Sequence, residues 1–449
     1  MIVRKWFSLV FVTVVTSLEL NTADFESIKN ATSTIAKGVL DYYTGDDYGK
    51  PVGLFTEPYY WWESGGAWGS LLDYWWYTDD DQYNDLIKEA LLSQVGQKWD
   101  YVPLNQSTTE GNDDQAFWGM AVMAAAERNF SNPAEDDPQW LYLAQAVFNT
   151  MAYRWDDEEC AGGLRWQIFK WNSGYDYKNT VSNGCFFHLA ARLARFTSNN
   201  SYVEWAEKTW DWMNRTQLID DSGDTTDYYL IYDGVSTNDN CTVVHSLQWT
   251  YNAGLMLSGA AYLYNYTESE LWSSRLHSLL QGVSIFFREG VMFEAACQSS
   301  QSCNNDQRSF KAFLSRFLGL TALLAPDTRD IIDWYLNSSA QAAAQSCSGG
   351  EDGVTCGLNW QSQGWDGYYG LGEQMSALEA IQNVRYLDKP PPYTHNSGAS
   401  SEGNPAAGNH LLDEEPKPLH IDPGSKVGAA FITAFISLTI ILACIWILL

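Results

Sequence analysis

The chain has 449 residues, a net charge of −29, and a heavy load of 21 Trp and 26 Tyr. So acidic a protein excludes nucleic acid as a partner, because phosphate binding needs clustered basic side chains. The length is large for an ordinary domain but fits a barrel, and so many amphipathic rings suit surfaces on which flat sugar faces stack.

Taken in chain order, the sequence opens with MIVRKWFSLVFVTVVTS. Arg4 and Lys5 precede a short apolar run that closes on small residues, which predicts a signal peptide over residues 1–17. The run is too short to span a bilayer comfortably as a retained anchor. Residues 18–388 carry helical periodicity almost throughout. Twelve helices are expected, beginning near Phe25, Gly65, Asp81, Asn112, Pro138, Thr180, Asn200, His245, Glu268, Ser309, Pro326 and Gly370. Two kinds alternate. DQYNDLIKEALLSQVGQ and NSYVEWAEKTWDWMNRT are amphipathic, whereas DDQAFWGMAVMAAA and YNAGLMLSGAAYLY are apolar nearly all round and so are buried on most faces. This alternation predicts an all-α fold, an (α/α)6 barrel of six helical hairpins. An open solenoid would show a shorter repeat with recurring positions, and none is present.

Residues 389–425, rich in Pro, Gly and Ser, read as a linker, and residues 426–449 as an apolar tail with no basic residue after it. A terminal apolar run behind a polar spacer and small residues predicts a GPI-attachment signal, with Ala406–Ala407–Gly408 the nearest small triplet. A retained single-pass helix is the alternative. The signals together predict the secretory pathway, the outer face of the plasma membrane and the cell wall. Asn30, Asn105, Asn129, Asn199, Asn214, Asn240, Asn265 and Asn337 each begin an N-x-S/T triplet, as an exposed glycoprotein surface would. Cys297 with Cys303, and Cys347 with Cys356, are close enough to clip loops. Among Cys160, Cys185 and Cys241 at most one pair can form, and Cys185, in an apolar helix, is expected to stay a buried thiol.

Polar and aromatic clusters fall at the starts of the apolar helices: TEPYYWWESGGAWG, TTEGNDDQAFWG, YDYKNTVSNG, HSLQWTYNAG, NNDQRSFKAF and GWDGYYGLGEQMSALEA. Inner helices of a hairpin barrel all run the same way, so these six clusters should converge on one face. Asp113 and Asp114 stand together at such a start. The helix dipole favours one negative charge there, and the first ionisation opposes the second. One ionised and one protonated carboxyl is the division of labour a glycosidase needs, and adjacent residues suit a retaining separation of about 5 Å. The plain alternative is helix capping by Asn112 or Asp113.

GNDDQAFWG, WWESGGAWG, KNTVSNG, WTYNAG and GLGEQMSALEA resemble glycoside hydrolase family 76, the mannan endo-1,6-α-mannosidases. From Phe25 to Asp388 the chain is similar to the fungal GPI-anchored cell-wall branch, the defective-in-cell-wall and defective-for-filamentous-growth type. The resemblance implies the (α/α)6 fold and retaining chemistry on α-1,6-linked mannose, with Asp113 as nucleophile and Asp114 as acid/base. For that branch it also implies transfer of the mannose glycan of GPI-anchored proteins to wall β-glucan. Hydrolysis and transfer differ only in whether water or a sugar hydroxyl resolves the intermediate, so both stay open. A non-catalytic mannan-binding protein and an inverting enzyme on another glycan are the remaining readings.

Further candidates for sugar contact are Trp61, Trp62 and Trp68 by stacking, and Asn112, Asn179, Asn183, Gln248, Tyr251 and Asn252 by hydrogen bonding. Lys311 is a candidate for a hydroxyl or anionic group, and Asp366 and Glu373 are reserve carboxylates. Each has a structural alternative in core packing, capping or an ion pair. His188 and His245 read as structural. The acidic runs TDDDQY and DDSGDTTD read as solvated turns, the second lacking the Gly and closing Glu of a calcium loop, and no cofactor or metal is implied.

Overall fold

The computed structural model describes residues 17–221, 228–409 and 423–448. The signal segment and the second acidic run thus lie largely outside the described residues. The chain to Asn409 is one compact unit. The tail, a separate unit, carries the helix Pro423–Leu448.

Six buried helices form the inner ring: α2 (Trp61–Thr78), α4 (Asn112–Glu127), α6 (Thr180–Thr197), α8 (Thr250–Thr267), α10 (Asn305–Leu324) and α12 (Leu371–Gln382). Each packs on the next, and α12 packs back on α2, which closes the ring. Each is preceded by an outer helix: α1 (Phe25–Leu40), α3 (Asn84–Ser93), α5 (Trp140–Tyr153), α7 (Asn200–Arg215), α9 (Glu270–Val283) and α11 (Arg329–Ser346). The fold is an (α/α)6 barrel. Small residues in the inner helices allow this close packing, as where Gly65 lies against Trp118 and Gly259 against Phe187.

Several helices start away from the expected places, for identifiable reasons. α2 starts four residues before Gly65, because the Glu63 carboxylate accepts a hydrogen bond from Tyr60 N–H and caps the helix. His245 lies in a strand instead of a helix. Val244–His245 pairs with Gly234–Ser236, which pairs with Tyr177–Asn179. α8 therefore begins at Thr250, capped by the distant carboxylate of Glu294. α10 begins ahead of Ser309, where Asn304 and Gln307 make a reciprocal capping box.

Near their C-terminal ends the six inner helices share a buried polar lattice. Arg316 of α10 holds Asp73 of α2 at 3.0 Å and Glu379 of α12 at 2.7 Å. Arg192 of α6 holds Glu127 of α4 at 2.6 Å, and Tyr262 of α8 donates to the same carboxylate at 3.2 Å. Arg128 pairs with the second oxygen of Asp73. A misregistered helix would leave one of these charges unpaired in the interior, which is costly.

Residues 389–409 differ from the linker that composition suggests. Tyr393 N–H donates to Glu127 O, Arg195 donates to Pro392 O, Leu141 N–H donates to Ser401 Oγ, and Asn149 donates to Ala407 O. The segment lies along the barrel as a strap, and Ala407 of the small triplet is fully buried. Its polar groups bond to the barrel in neither helical nor strand register, so no periodicity announces it. Disulfides join Cys160 to Cys241, Cys297 to Cys303 and Cys347 to Cys356, and Cys185 is a buried thiol. Of the sequon asparagines, Asn30, Asn105, Asn214, Asn240 and Asn265 are exposed, and Asn129, Asn199 and Asn337 are half-buried.

Candidate active site

The first turns of the inner helices meet at one pole of the barrel. Trp62 of α2 packs on Phe117 of α4 with ring centres 4.6 Å apart. Tyr251 of α8 stacks on Phe310 of α10 at 3.8 Å and lies parallel to Phe117. These rings make an aromatic floor, and carboxylates stand around it.

Asp113 and Asp114 occupy the first turn of α4, both half-buried. Gly111, the N-cap, is extended, and its N–H donates to Asp114 Oδ2. A Cβ at Gly111 would come within 2.9 Å of Asp114 Oδ2 and of Trp166 O, and nearer still to Asp113 Oδ1. Both carboxyls therefore close over one glycine. Asn112 N–H donates to Trp166 O at 2.8 Å, pinning the loop that carries Trp166 beside the helix. From there the Trp166 indole donates to Asp113 Oδ2 at 3.2 Å, and Ser182 of α6 donates to Oδ1 at 3.4 Å.

Burial pushes the Asp113 carboxyl up to about 7, against the pull of those donors. Asp114 is pushed well above the usual range, by burial first and then by the Asp113 charge. Both carboxyls are thus raised together, and desolvation outweighs mutual repulsion as the cause.

Three more carboxyls ring the floor. Glu63 of α2 is buried and pushed up to about 8, chiefly by burial and then by Asp306. Asp306 of α10 accepts a hydrogen bond from the Trp62 indole at 3.0 Å and is raised by burial. Glu373 of α12 is pushed up to about 7 by burial, with Arg308 at 3.5 Å opposing the shift. Behind Tyr251, Asp233 accepts from Tyr177 OH at 2.7 Å and the Trp249 indole at 3.0 Å. Glu110, sealed behind Asp114, has no hydrogen-bond partner for either oxygen among the described residues.

The structure sorts the sequence candidates. Trp62 and Tyr251 form the floor, and Glu373 stands on the rim. Asn179 caps α6 by accepting from Ser182 N–H at 3.2 Å. Gln248 is half-buried in the loop ahead of α8. Asn252 is buried with neither amide atom partnered among the described residues.

Others serve the scaffold instead of a sugar. Trp68 is buried in the core, its indole donating to Gly53 O. Trp61 donates to Gln94 and packs on Trp118. Asn112 ties Arg165 O to Arg154, and Asn183 binds both the N–H and the carbonyl of Leu164. Lys311 is fully buried, donates to Leu358 O and sits 3.7 Å over the Trp360 ring. Asp366 accepts backbone N–H groups of Leu358, Asn359 and Tyr368, knotting that loop. Such long polar side chains are turned inward because buried backbone groups there need partners. His188 is buried against Ser258, and His245 is exposed in its strand.

Sequence reasoning passed over Trp166, Ser182, Glu63 and Asp306. Glu63, Ser182 and Asp306 lie inside the quoted clusters, but Trp166 sits in a loop with no periodic signal.

Among known proteins, the profile described as Glycosyl hydrolase family 76 matches residues 27–396. Mannan endo-1,6-alpha-mannosidase DCW1 of Saccharomyces cerevisiae is 60% identical over 430 residues, covering 96% of this chain and 95% of that protein. The crystal structure of Dfg5 from Chaetomium thermophilum in complex with glucosamine is similar with a TM-score of 0.83 at 42% identity, covering 86% of this chain and 97% of that one. An inactive variant of an alpha-1,6-mannanase of Salegentibacter in complex with alpha-1,6-mannotriose shares the fold, with a TM-score of 0.64 at 18% identity over 80% of this chain and 99% of that one.

Proposed function

Since the chain belongs to glycosyl hydrolase family 76 and is a glycoside hydrolase, we propose that Asp113 and Asp114 cleave α-1,6-linked mannose with retention and pass the glycan to a cell-wall acceptor. The observation that carries the reading is the aspartate pair on one helix start, with Trp166 and Ser182 donating to Asp113 alone, beside an aromatic floor. Asp113, braced by Trp166 and Ser182, is the more easily ionised and suits attack. Asp114 keeps its proton and suits donation.

In the first step the Asp113 carboxylate bonds to the anomeric carbon while the C–O bond to the leaving sugar breaks. The Asp114 proton goes to that oxygen. In the second, Asp114, now ionised, takes a proton from the incoming hydroxyl, whose oxygen displaces Asp113 from the carbon. Water as the incoming group gives hydrolysis, and a β-glucan hydroxyl gives transfer. The printed activity of the DCW1 relative supports the mannan linkage. The accessible sequons and three disulfides fit a secretory route to the outer face of the plasma membrane, with the tail exchanged for a GPI anchor and the mannose glycan of GPI-anchored proteins as donor.

Asp113→Asn and Asp114→Asn are each expected to lower kcat by at least about 10³-fold, since each removes the group for one step, with Tm nearly unchanged. Turnover near wild type in either variant refutes the pair. Incubation with an α-1,6-mannoside and a β-glucan oligosaccharide is expected to give a mixed product with the α configuration by NMR. Free mannosides alone mean hydrolysis, and a β product means inversion. Release from membranes by phosphatidylinositol-specific phospholipase checks the anchor, and failure to release points to a spanning helix.

A further inference from the structure

Asn129 begins one of the N-x-S/T triplets, Asn129-Phe130-Ser131, in the turn after α4. Its surroundings differ from those of the sequons at Asn30, Asn105, Asn214 and Asn240. Those four are exposed, and their side-chain amides have no hydrogen-bond partner among the described residues. Asn129 is half-buried, and the strap takes both ends of its amide. Nδ2 donates to Gly398 O at 2.8 Å, and Oδ1 accepts Ser400 N–H at 2.8 Å and Ser400 Oγ–H at 3.2 Å. Asn132 Nδ2 adds a bond to Ser400 O at 3.3 Å. The turn is held from beneath, because Phe130 is buried with Trp75 and Trp140 at ring-centre distances of 5.1 and 6.0 Å.

The clasp and a sugar need the same hydrogen. Gly398 O and Ser400 N are two residues apart on one strap. A planar amide meets both at once with the edge that carries Oδ1 and the hydrogen cis to it. In N-glycosylation Nδ2 bonds to C1 of a lipid-linked oligosaccharide diphosphate. The C1–O bond breaks, the diphosphate leaves with the electron pair, and Nδ2 gives up one proton. The product is a secondary amide, planar and trans like a peptide bond. That geometry puts the sugar carbon cis to Oδ1, where the Gly398 carbonyl sits, and turns the remaining N–H the other way.

We propose that Asn129 is a two-way site, whose amide either clasps the strap or carries an N-linked sugar and never both. The clasp is closed in this structure, so Asn129 is expected to be bare where the exposed sequons are filled. A sugar at Asn129 unseats the strap at Gly398–Ser400. Ser401, whose Oγ accepts Leu141 N–H, is the next residue, so the seat along α5 is disturbed as well. Residues 398–409, about 40 Å when extended, then lengthen the tether between the barrel and the apolar tail.

The test uses the full glycoprotein. Peptide-N-glycosidase in heavy-oxygen water marks each occupied asparagine for mass spectrometry, and hydrogen exchange reads the Ser400 amide with the glycoforms resolved by mass. The expected result is a bare Asn129, sugar at the exposed sequons and a protected Ser400. Sugar on Asn129 in copies whose Ser400 stays protected overturns the proposal, and so does a bare Asn129 with Ser400 exchanging freely. Sugar on Asn129 with Ser400 exchanging freely agrees with exclusion. In that case Ser131→Ala, an exposed change that removes the sequon and keeps the amide, must restore protection, and failure to restore it overturns the proposal.

Asn129→Asp sets an oxygen against Gly398 O in place of the donor. It is expected to speed Ser400 exchange about five- to tenfold, the worth of one hydrogen bond, and an unchanged rate overturns the clasp. The proposal rests on the secretory route. Sugar at none of the sequons refutes that route instead, and Ser400 exchange in wild type and Asn129→Asp still decides the clasp.

Discussion

Gly111→Ala tests the geometry of the aspartate pair without touching its chemistry. At Gly111 the backbone has φ −98° and ψ 167°, a conformation any residue adopts, so alanine brings no backbone strain. Its Cβ would lie 2.9 Å from Asp114 Oδ2, short by about 0.5 Å of the 3.4 Å at which ordinary contact begins, and would crowd Asp113 Oδ1 more. Trp166 O, fixed by its hydrogen bond from Asn112, blocks retreat on the third side. Both carboxyls must therefore swing out of place. A displacement of this order misaligns attack and proton donation together and costs about 30- to 100-fold in kcat/KM. Overpacking at this buried cap, relieved mainly by movement of side-chain ends, costs about 1–3 kcal/mol, so Tm falls by only a few degrees. The assay is kcat/KM on α-1,6-mannotetraose beside a thermal melt of the same preparation. A variant folded like wild type and within threefold of its activity would show that the carboxyls do not depend on this cradle, and the proposed geometry would be wrong.

Three further perturbations probe the same structure. Trp166→Phe removes a donor to ionised Asp113 and leaves its carboxyl harder to ionise, so the acid limb of the pH profile of kcat/KM is expected to move to higher pH; an unmoved limb dissociates Trp166 from that ionisation. Arg316→Leu leaves Glu379 buried without its cation, while Asp73 keeps Arg128, and is expected to cost about 3–5 kcal/mol in chemical denaturation; a loss under about 1 kcal/mol shows that the lattice does not hold the ring. Glu63, Glu294, Glu373 and Asp113 all have carboxyls raised to about 7 or 8. An acid raised on folding binds its proton more tightly in the native state, so stability is greatest near the ordinary carboxylate range and declines as pH rises toward 8. Lys311, lowered to about 7, acts in the opposite sense only above that pH. Melts are expected to show a higher Tm at pH 5 than at pH 7.5, and the reverse order refutes the net sign.

The barrel was legible because its cause is periodic. α4 and α8 are apolar all round and α7 is apolar along one stripe, which tells inner from outer helices before any contact is known. The position of the aspartate pair was legible for a similar reason, since a helix start can be read from residues adjacent in sequence. Trp166 was not, because what brings it to Asp113 is a backbone bond between Asn112 and its own carbonyl across 54 positions of chain. Lys311 and Asp366 misled in the other direction. A charged residue near a cluster looks available for ligand, yet both are spent on loop carbonyl and amide groups that only the folded chain brings within reach.

The sequence by itself determined the helix alternation, the polar clusters at the inner-helix starts, and the adjacency of two acids at one of them, because each follows from spacing along a single segment. Only the tertiary structure decided that burial governs their ionisation, that residues 389–409 dock on the barrel, and that Trp166 and Ser182 reach Asp113. Those depend on desolvation and on contacts between distant segments, which no local pattern encodes.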